Sequence, residues 1–252
     1  MTDTSLKLDV APIVEAVLDI DCDMPLTFDL TALEAPVRDA FRGSYPTFRI
    51  QRLQEHQFEV QPEGISKMTT RQGVQALQLL QEDENQLVQI RAQGFSFNRL
   101  APYSSLGDYL PEIKRVWQLF VGLVAPVQIR AVQLRYINRI LLPTTDGSLE
   151  LGDYLKFGPR LPDEDKLTFV GFMNQHSAVE KGTDNQVNIV LAAQAPEHDR
   201  LPVIFDITAF RLGSIEPDDW TTIQSTIQSL RQLKNNVFRN SLTDKCLNLF
   251  QH

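Results

Sequence analysis

Two periodicities alternate along the chain. Residues 13–20, Ile-Val-Glu-Ala-Val-Leu-Asp-Ile, put Val14, Ala16, Leu18 and Ile20 on one side and Glu15 and Asp19 on the other. That period of two predicts a strand with one buried face. A helix is predicted next, over about 31–41. Thr31 is its N-cap, Glu34 the capping-box acid three residues on, and Gly43 and Pro46 end it. Strand patterns follow over 48–60, 74–81 and 87–100, the last two separated by the turn residues Glu82-Asp-Glu-Asn85. The period then changes to about 3.6: Leu106, Leu110, Ile113, Trp117 and Phe120 fall on one helical stripe, opened by Ser105 and Asp108 in a capping-box arrangement. Pro111 interrupts the stripe and predicts a kink or a restart.

The second half repeats the order. A strand over 132–142 is followed by a short helix near 149–155, then a loop rich in Gly, Pro and Asp over 158–165. Strands are predicted over 167–179, 186–194 and 201–212, with a hairpin turn at Asp184-Asn185. A long helix is predicted from about Pro217 as its first residue, with Ile223, Ile227, Leu230, Leu233 and Val237 as the buried stripe. A last short helix uses Leu242, Cys246, Leu249 and Phe250. Read together, these elements predict an α+β fold: a duplicated strand–helix–three-strand–helix unit forming one curved, mainly antiparallel sheet with long helices on one face. The chain is then a single domain, 1–252, of two pseudo-repeats at about 9–124 and 127–250. Their first strands lie near the centre and are neighbours.

The strand Val132-Gln-Leu-Arg-Tyr-Ile-Asn-Arg-Ile-Leu-Leu142 carries charge where a strand is usually apolar. Arg135 and Arg139 flank Ile137 on one face, and Glu15 and Asp19 have the same spacing on the first strand. If the strands are neighbours, the four charges form a cross-strand ladder that fixes register. The competing reading is an anion- or partner-binding patch, since a guanidinium grips phosphate or carboxylate with two parallel hydrogen bonds. Asn138 lies on the other face among Leu134, Tyr136 and Ile140 and needs a hydrogen-bond partner if buried; it reads as a core amide. Phe95 and Phe97 alternate with Gly94, Ser96 and Asn98 and are expected to pack under helices.

Charge and composition narrow the picture further. The chain has 252 residues and a formal net charge of -8, which disfavours a general nucleic-acid surface. Two cysteines, Cys22 and Cys246, stand far apart and in no motif, so free thiols and a cytoplasmic location are expected. The first residues have neither the basic nor the apolar region of a signal peptide, and no apolar run reaches the ~20 residues of a membrane span. The four histidines are scattered and have no metal-ligand spacing. Phosphate-cradling glycine loops and a nucleophile elbow are missing. No metal, no cofactor and no catalytic constellation is therefore expected. Acids at 163–165 read as solvated charge, and Glu15, Asp19 and Asp206 are the acids an unrecognised enzyme acting on nucleic acid would use.

Four segments carry a family resemblance: residues 11–20 (APIVEAVLDI), 94–103 (GFSFNRLAPY), 134–140 (LRYINRI) and the terminal 238–250 region. Together they resemble a sporadically distributed family of uncharacterised bacterial proteins of similar length, nearly end to end. Pro111 departs from the family's uninterrupted helix. The family's patchy distribution is similar to that of genes on mobile elements, including toxin–antitoxin and phage-defence genes. With the absence of catalytic motifs, the resemblance implies a non-enzymatic interaction protein acting with a partner protein. The alternative is a small-ligand or anion-binding sensory domain built on the Arg135/Arg139 strand.

Overall fold

A computed structural model of the chain describes residues 8–60, 66–144, 149–163, 166–167 and 169–251, with side chains described outside 54–72. It is an α+β fold built on one nine-stranded sheet in which every neighbouring pair is antiparallel. The strands are β1 (Ile13–Asp23), β2 (Thr47–Val60), β3 (Ser66–Leu80), β4 (Gln86–Arg91), β5 (Gly94–Leu100), β6 (Gln128–Pro143), β7 (Met173–Val179), β8 (Gln186–Ala193) and β9 (Arg200–Ile215). The helices are α1 (Glu34–Phe41), α2 (Leu106–Val124), α3 (Trp220–Ser241) and α4 (Asp244–Leu247). Across the sheet the order is β2-β3-β4-β5-β1-β6-β9-β8-β7, so β1 and β6 meet at the centre and β2 and β7 are the edges.

Several boundaries differ from the sequence pattern for local reasons. The single strand read over 87–100 is the hairpin β4–β5. At its turn Gly94 has φ +149, and a Cβ there would lie 2.1 Å from the Ile20 carbonyl oxygen on β1. Only glycine lets the hairpin come this close to its neighbour. The first half therefore contributes five strands and the second four. Helix α1 starts at Glu34 with no side-chain cap, and the Thr31 N–H that a capping box would give to Glu34 donates to the Asp29 carboxylate instead. Helix α3 starts three residues after Pro217, with Asp219 as N-cap accepting from the Thr222 N–H at 3.0 Å. Helix α2 runs through Pro111 without a restart. Pro111 is exposed, and so is Gly107, whose carbonyl loses its helical partner to the proline and is left to water. Ser105 caps α2 as the sequence indicated. The strand read over 167–179 begins only at Met173, and the short helix near 149–155 is a single 3-10 turn over 151–153.

One face of the sheet is apolar. Leu18 and Ile20 of β1 stand beside Phe97 and Phe95 of β5 and beside Leu134 and Val132 of β6, and Leu134 stands beside Ala209 of β9. All of these are buried. Helix α2 meets this face through Trp117 and Phe120 on Phe95, and α3 meets it through Phe238 stacked on Phe205. The Trp117 indole N–H donates to the Pro217 carbonyl at 2.9 Å, tying α2 to the segment that leads into α3. The expected packing of Phe95 and Phe97 thus follows from their parity. Cys22 and Cys246 are free, buried thiols, and burial pushes each pKa up to about 12. No helix among the described residues is long and apolar enough to cross a membrane.

Candidate functional site

On the face opposite the aromatic core, the central strands carry the charged residues singled out in the sequence. The register decides who pairs with whom. Arg135 stands beside Val17 on one side and Thr208 on the other, Glu15 beside Ile137, and Asp19 beside Gln133. The four charges therefore do not form a ladder with one another. Arg135 instead reaches diagonally to Asp206 of β9, with Nη2 donating to Oδ2 at 2.6 Å and Nε to Oδ1 at 3.0 Å. That hydrogen bond raises the Arg135 pKa, and Glu15 and Asp19 add to the same field without touching it. Arg139 lies beyond the first residue of β1, opposite Pro12. Its Nη2 donates to Glu197 at 2.5 Å and its Nε to Gln194 at 3.1 Å, both from the β8–β9 connection.

The carboxylates of β1 have partners on both sides: Asp23 pairs with Arg130 of β6 at 3.0 Å and Asp19 accepts from Gln133 of β6, and the rest of the contacts come from β4 and β5. Glu15 accepts from the Asn98 amide at 2.8 Å. Asp19 accepts from the Ser96 hydroxyl and lies 3.4 Å from the Arg91 guanidinium, and Asp21 accepts from Arg91 at 2.8 Å. A run of side-chain amides continues the pattern across five strands. Gln78 donates to Gln51 and Gln89, Gln89 to Asn98, and Asn98 to Glu15. Every functional group singled out on this face already has a partner. Among the described residues no three His, Cys, Asp or Glu side chains converge to hold a metal ion. Glu164 and Asp165 lie outside the described residues.

The aromatic face holds a different site. A cavity of about 430 Å³ opens where the start of β1, the β5–α2 connection, the middle of β6 and the second half of α3 meet. Leu8, Pro12, Ile13, Leu106 and Phe238 give it an apolar wall. Its polar groups include Tyr103, Asp108, Tyr136, Asn138, Arg231, Lys234 and Asn235, with Ser104 and Ser105 beside Asp108. Asn138, predicted as a core amide, is 2% exposed and donates to the Phe205 carbonyl at 2.8 Å. The Tyr103 and Tyr136 hydroxyls are 2.9 Å apart with their rings edge to face. Burial raises both phenols, Tyr136 to about 12. Asp108 is exposed at the rim. Hydrogen bonds from Ser104 and Ser105 lower its pKa and keep it ionised.

Lys234 distinguishes this cavity. It is 9% exposed and makes no hydrogen bond or ion pair among the described residues; its Nζ sits 3.8 Å above the Tyr136 ring. Two effects oppose each other there. The negative ring face favours the ammonium. Burial, and then the nearby Arg231 charge, favour the neutral amine and bring the pKa down to about 7. Arg231 has no salt bridge among the described residues either. The sequence pattern contained a signal for Lys234. Ile223, Ile227, Leu230, Lys234 and Phe238 are spaced four, three, four and four, so the buried stripe of α3 runs through the lysine rather than through Val237 alone. Comparison of the chain with protein-family models, curated proteins and solved structures finds no match.

Proposed function

We propose that the protein is a small-ligand-binding protein whose cavity between α2 and α3 takes an organic anion, a carboxylate carried on an apolar body. The observation that carries this reading is the Lys234 amine, which lines a cavity of mixed polar and apolar walls and has no hydrogen-bond or ion-pair partner among the described residues. A buried cation without a counter-ion is costly, and a ligand carboxylate would supply the missing partner. Arg231 adds a second positive charge, the tyrosine pair and Asn235 add hydrogen-bonding groups, and Leu106, Ile13 and Phe238 suit an apolar body. The volume is in the range of small-molecule sites. The anion-binding alternative drawn from Arg135 and Arg139 thus moves to the opposite side of the same strand, because both of those guanidiniums are already held by carboxylates.

Isothermal titration of benzoate tests this. The wild type is expected to bind, with affinity falling by up to about tenfold per pH unit above pH 7, because the amine must then take up a proton to meet the anion. Lys234→Met removes the charge and keeps an apolar filler; it is expected to lose binding. Failure of the wild type to bind, or equal binding by the variant, sinks the reading.

The second reading is an interaction protein acting with a partner protein. The edge strand β7 supports it, since none of the described residues pairs with its outer side and an unpaired edge is a template for another chain. A link to mobile-element defence or toxin–antitoxin systems rests on the family resemblance alone. The duplication reading is supported by the outward progression β1-β5-β4-β3 in the first half and β6-β9-β8-β7 in the second, with β2 the additional strand.

A further inference from the structure

We propose that β7 pairs antiparallel with β7 of a second copy of this chain, across a two-fold axis at His176, to make one continuous sheet through a homodimer. The two edges of the sheet differ in how they are protected. Strand β2 carries Arg49, Arg52, Glu55 and Glu59 in its sequence and has a register irregularity between Gln51 and Arg52. Charges and bulges of this kind keep an edge from pairing with another strand. Strand β7, Met-Asn-Gln-His-Ser-Ala-Val, has no charge, no proline and an unbroken register on β8. All its residues except Asn174 are exposed. Large apolar side chains are exposed in and just before it: Met173 (76%), Val179 (64%) and Val170 (105%).

The hydrogen-bonding phase of β7 selects the partner register. Glu180 N–H donates to the Asn185 carbonyl and the Phe172 carbonyl accepts from Ala193 N–H, so even-numbered residues direct their backbone groups toward β8. Those of Met173, Gln175, Ser177 and Val179 therefore point outward, because backbone direction alternates along a strand. In a two-fold pairing centred on His176, Met173 faces Val179 of the second copy and Gln175 faces Ser177. All four outward-pointing residues then fall in hydrogen-bonded pairs. The same register brings the exposed Met173 and Val179 together as cross-strand apolar contacts at both ends. A strand free of charge meets no repulsion in pairing with itself, and a two-fold interface requires such self-complementarity. A foreign strand would not be expected to find both features matched.

Sedimentation of the full chain over a concentration series tests the proposal with two variants. Ser177→Pro removes an N–H that points away from β8, which an edge strand tolerates. His176→Glu places two carboxylates opposite each other at the axis, where like charges destabilise pairing. The wild type is expected to be dimeric, and each variant is expected to raise the dissociation constant by about tenfold or more. Should Ser177→Pro misfold, His176→Glu carries the test, with His176→Gln as its uncharged control for the lost ring contact with Phe157. A wild type that is monomeric at all concentrations overturns the proposal, and so does a dimer that His176→Glu leaves unchanged.

Discussion

The two faces of strand β6 treat positive charge in opposite ways. On one face Arg135 is clamped by Asp206 and Arg139 by Glu197 and Gln194, within a surface whose amides and carboxylates are paired across the sheet. On the other face, Lys234 of α3 lies over Tyr136 with no counter-ion among the described residues. Arg135 and Arg139 are each held by a carboxylate; Lys234 has no such partner among the described residues. Folding alone explains the first arrangement, since paired charges on adjacent strands fix register. It does not explain the second, because an apolar residue at 234 would fill the same space without burying an amine. The difference is the reason for proposing a ligand site at Lys234 rather than at the arginines.

The strongest test of the unpaired amine is the pH dependence of stability. The Lys234 pKa in the folded chain, about 7, lies below its ordinary value. Between about 7 and 10.5 the unfolded chain binds the extra proton, so stability should rise with pH across that window. The slope should be at most about 1.4 kcal/mol per pH unit, and the penalty is fully present below pH 7. Lys234→Met should be more stable than the wild type below pH 7, on the order of a few kcal/mol, with the difference vanishing toward pH 10.5. Denaturant unfolding at pH 6, 8 and 10 reads this directly. Parallel curves for the two proteins would mean that the amine has a partner after all.

On the opposite face a smaller effect is expected. Arg135→Ala leaves Asp206, whose side chain is 13% exposed, without its two-pronged donor. A loss of about 1–2 kcal/mol is expected, with most of it recovered as coupling in a double-mutant cycle with Asp206→Ala. No coupling between the two would show the clamp to be idle. The smallest effect belongs to Arg139→Ala. The sequence alone suggested that this change would strand a carboxylate on the first strand. In the fold its partner is Glu197, 54% exposed in a connecting segment, so the expected loss is below about 1 kcal/mol. A larger loss in thermal unfolding would make Arg139 part of the structural core of that face.

Period and parity, read from the sequence, determined much of the architecture. The patterns in residues 13–20 and 132–142, the stripe from Leu106 to Phe120 and the parity of Phe95 and Phe97 identified the central strands and a long helix, and the parity of Ala16, Leu18 and Ile20 and of Phe95 and Phe97 gave their buried face; Val14, on the same parity, is exposed because the register shifts between Ile13 and Glu15. These are local properties, because a side chain's direction along a strand or helix follows from spacing alone. The buried stripe of α3 was also present in the spacing, but Lys234 interrupted its hydrophobicity and so concealed itself. Asn138 was legible as a core amide for the converse reason, one polar group among apolar neighbours of the same parity.

Tertiary structure alone decided the partners. That Arg135 would choose Asp206, 71 residues away, depended on the register of β6 against β9 and on the offset that sets Arg135 beside Val17. The hairpin within 87–100 depended on the close approach of Gly94 to Ile20, a contact with β1 that no local pattern encodes. The cavity depended on four separate segments converging over Tyr136. Sequence spacing fixes which way a side chain points. What it meets there is set by strand order and register, which arise from packing the whole sheet at once.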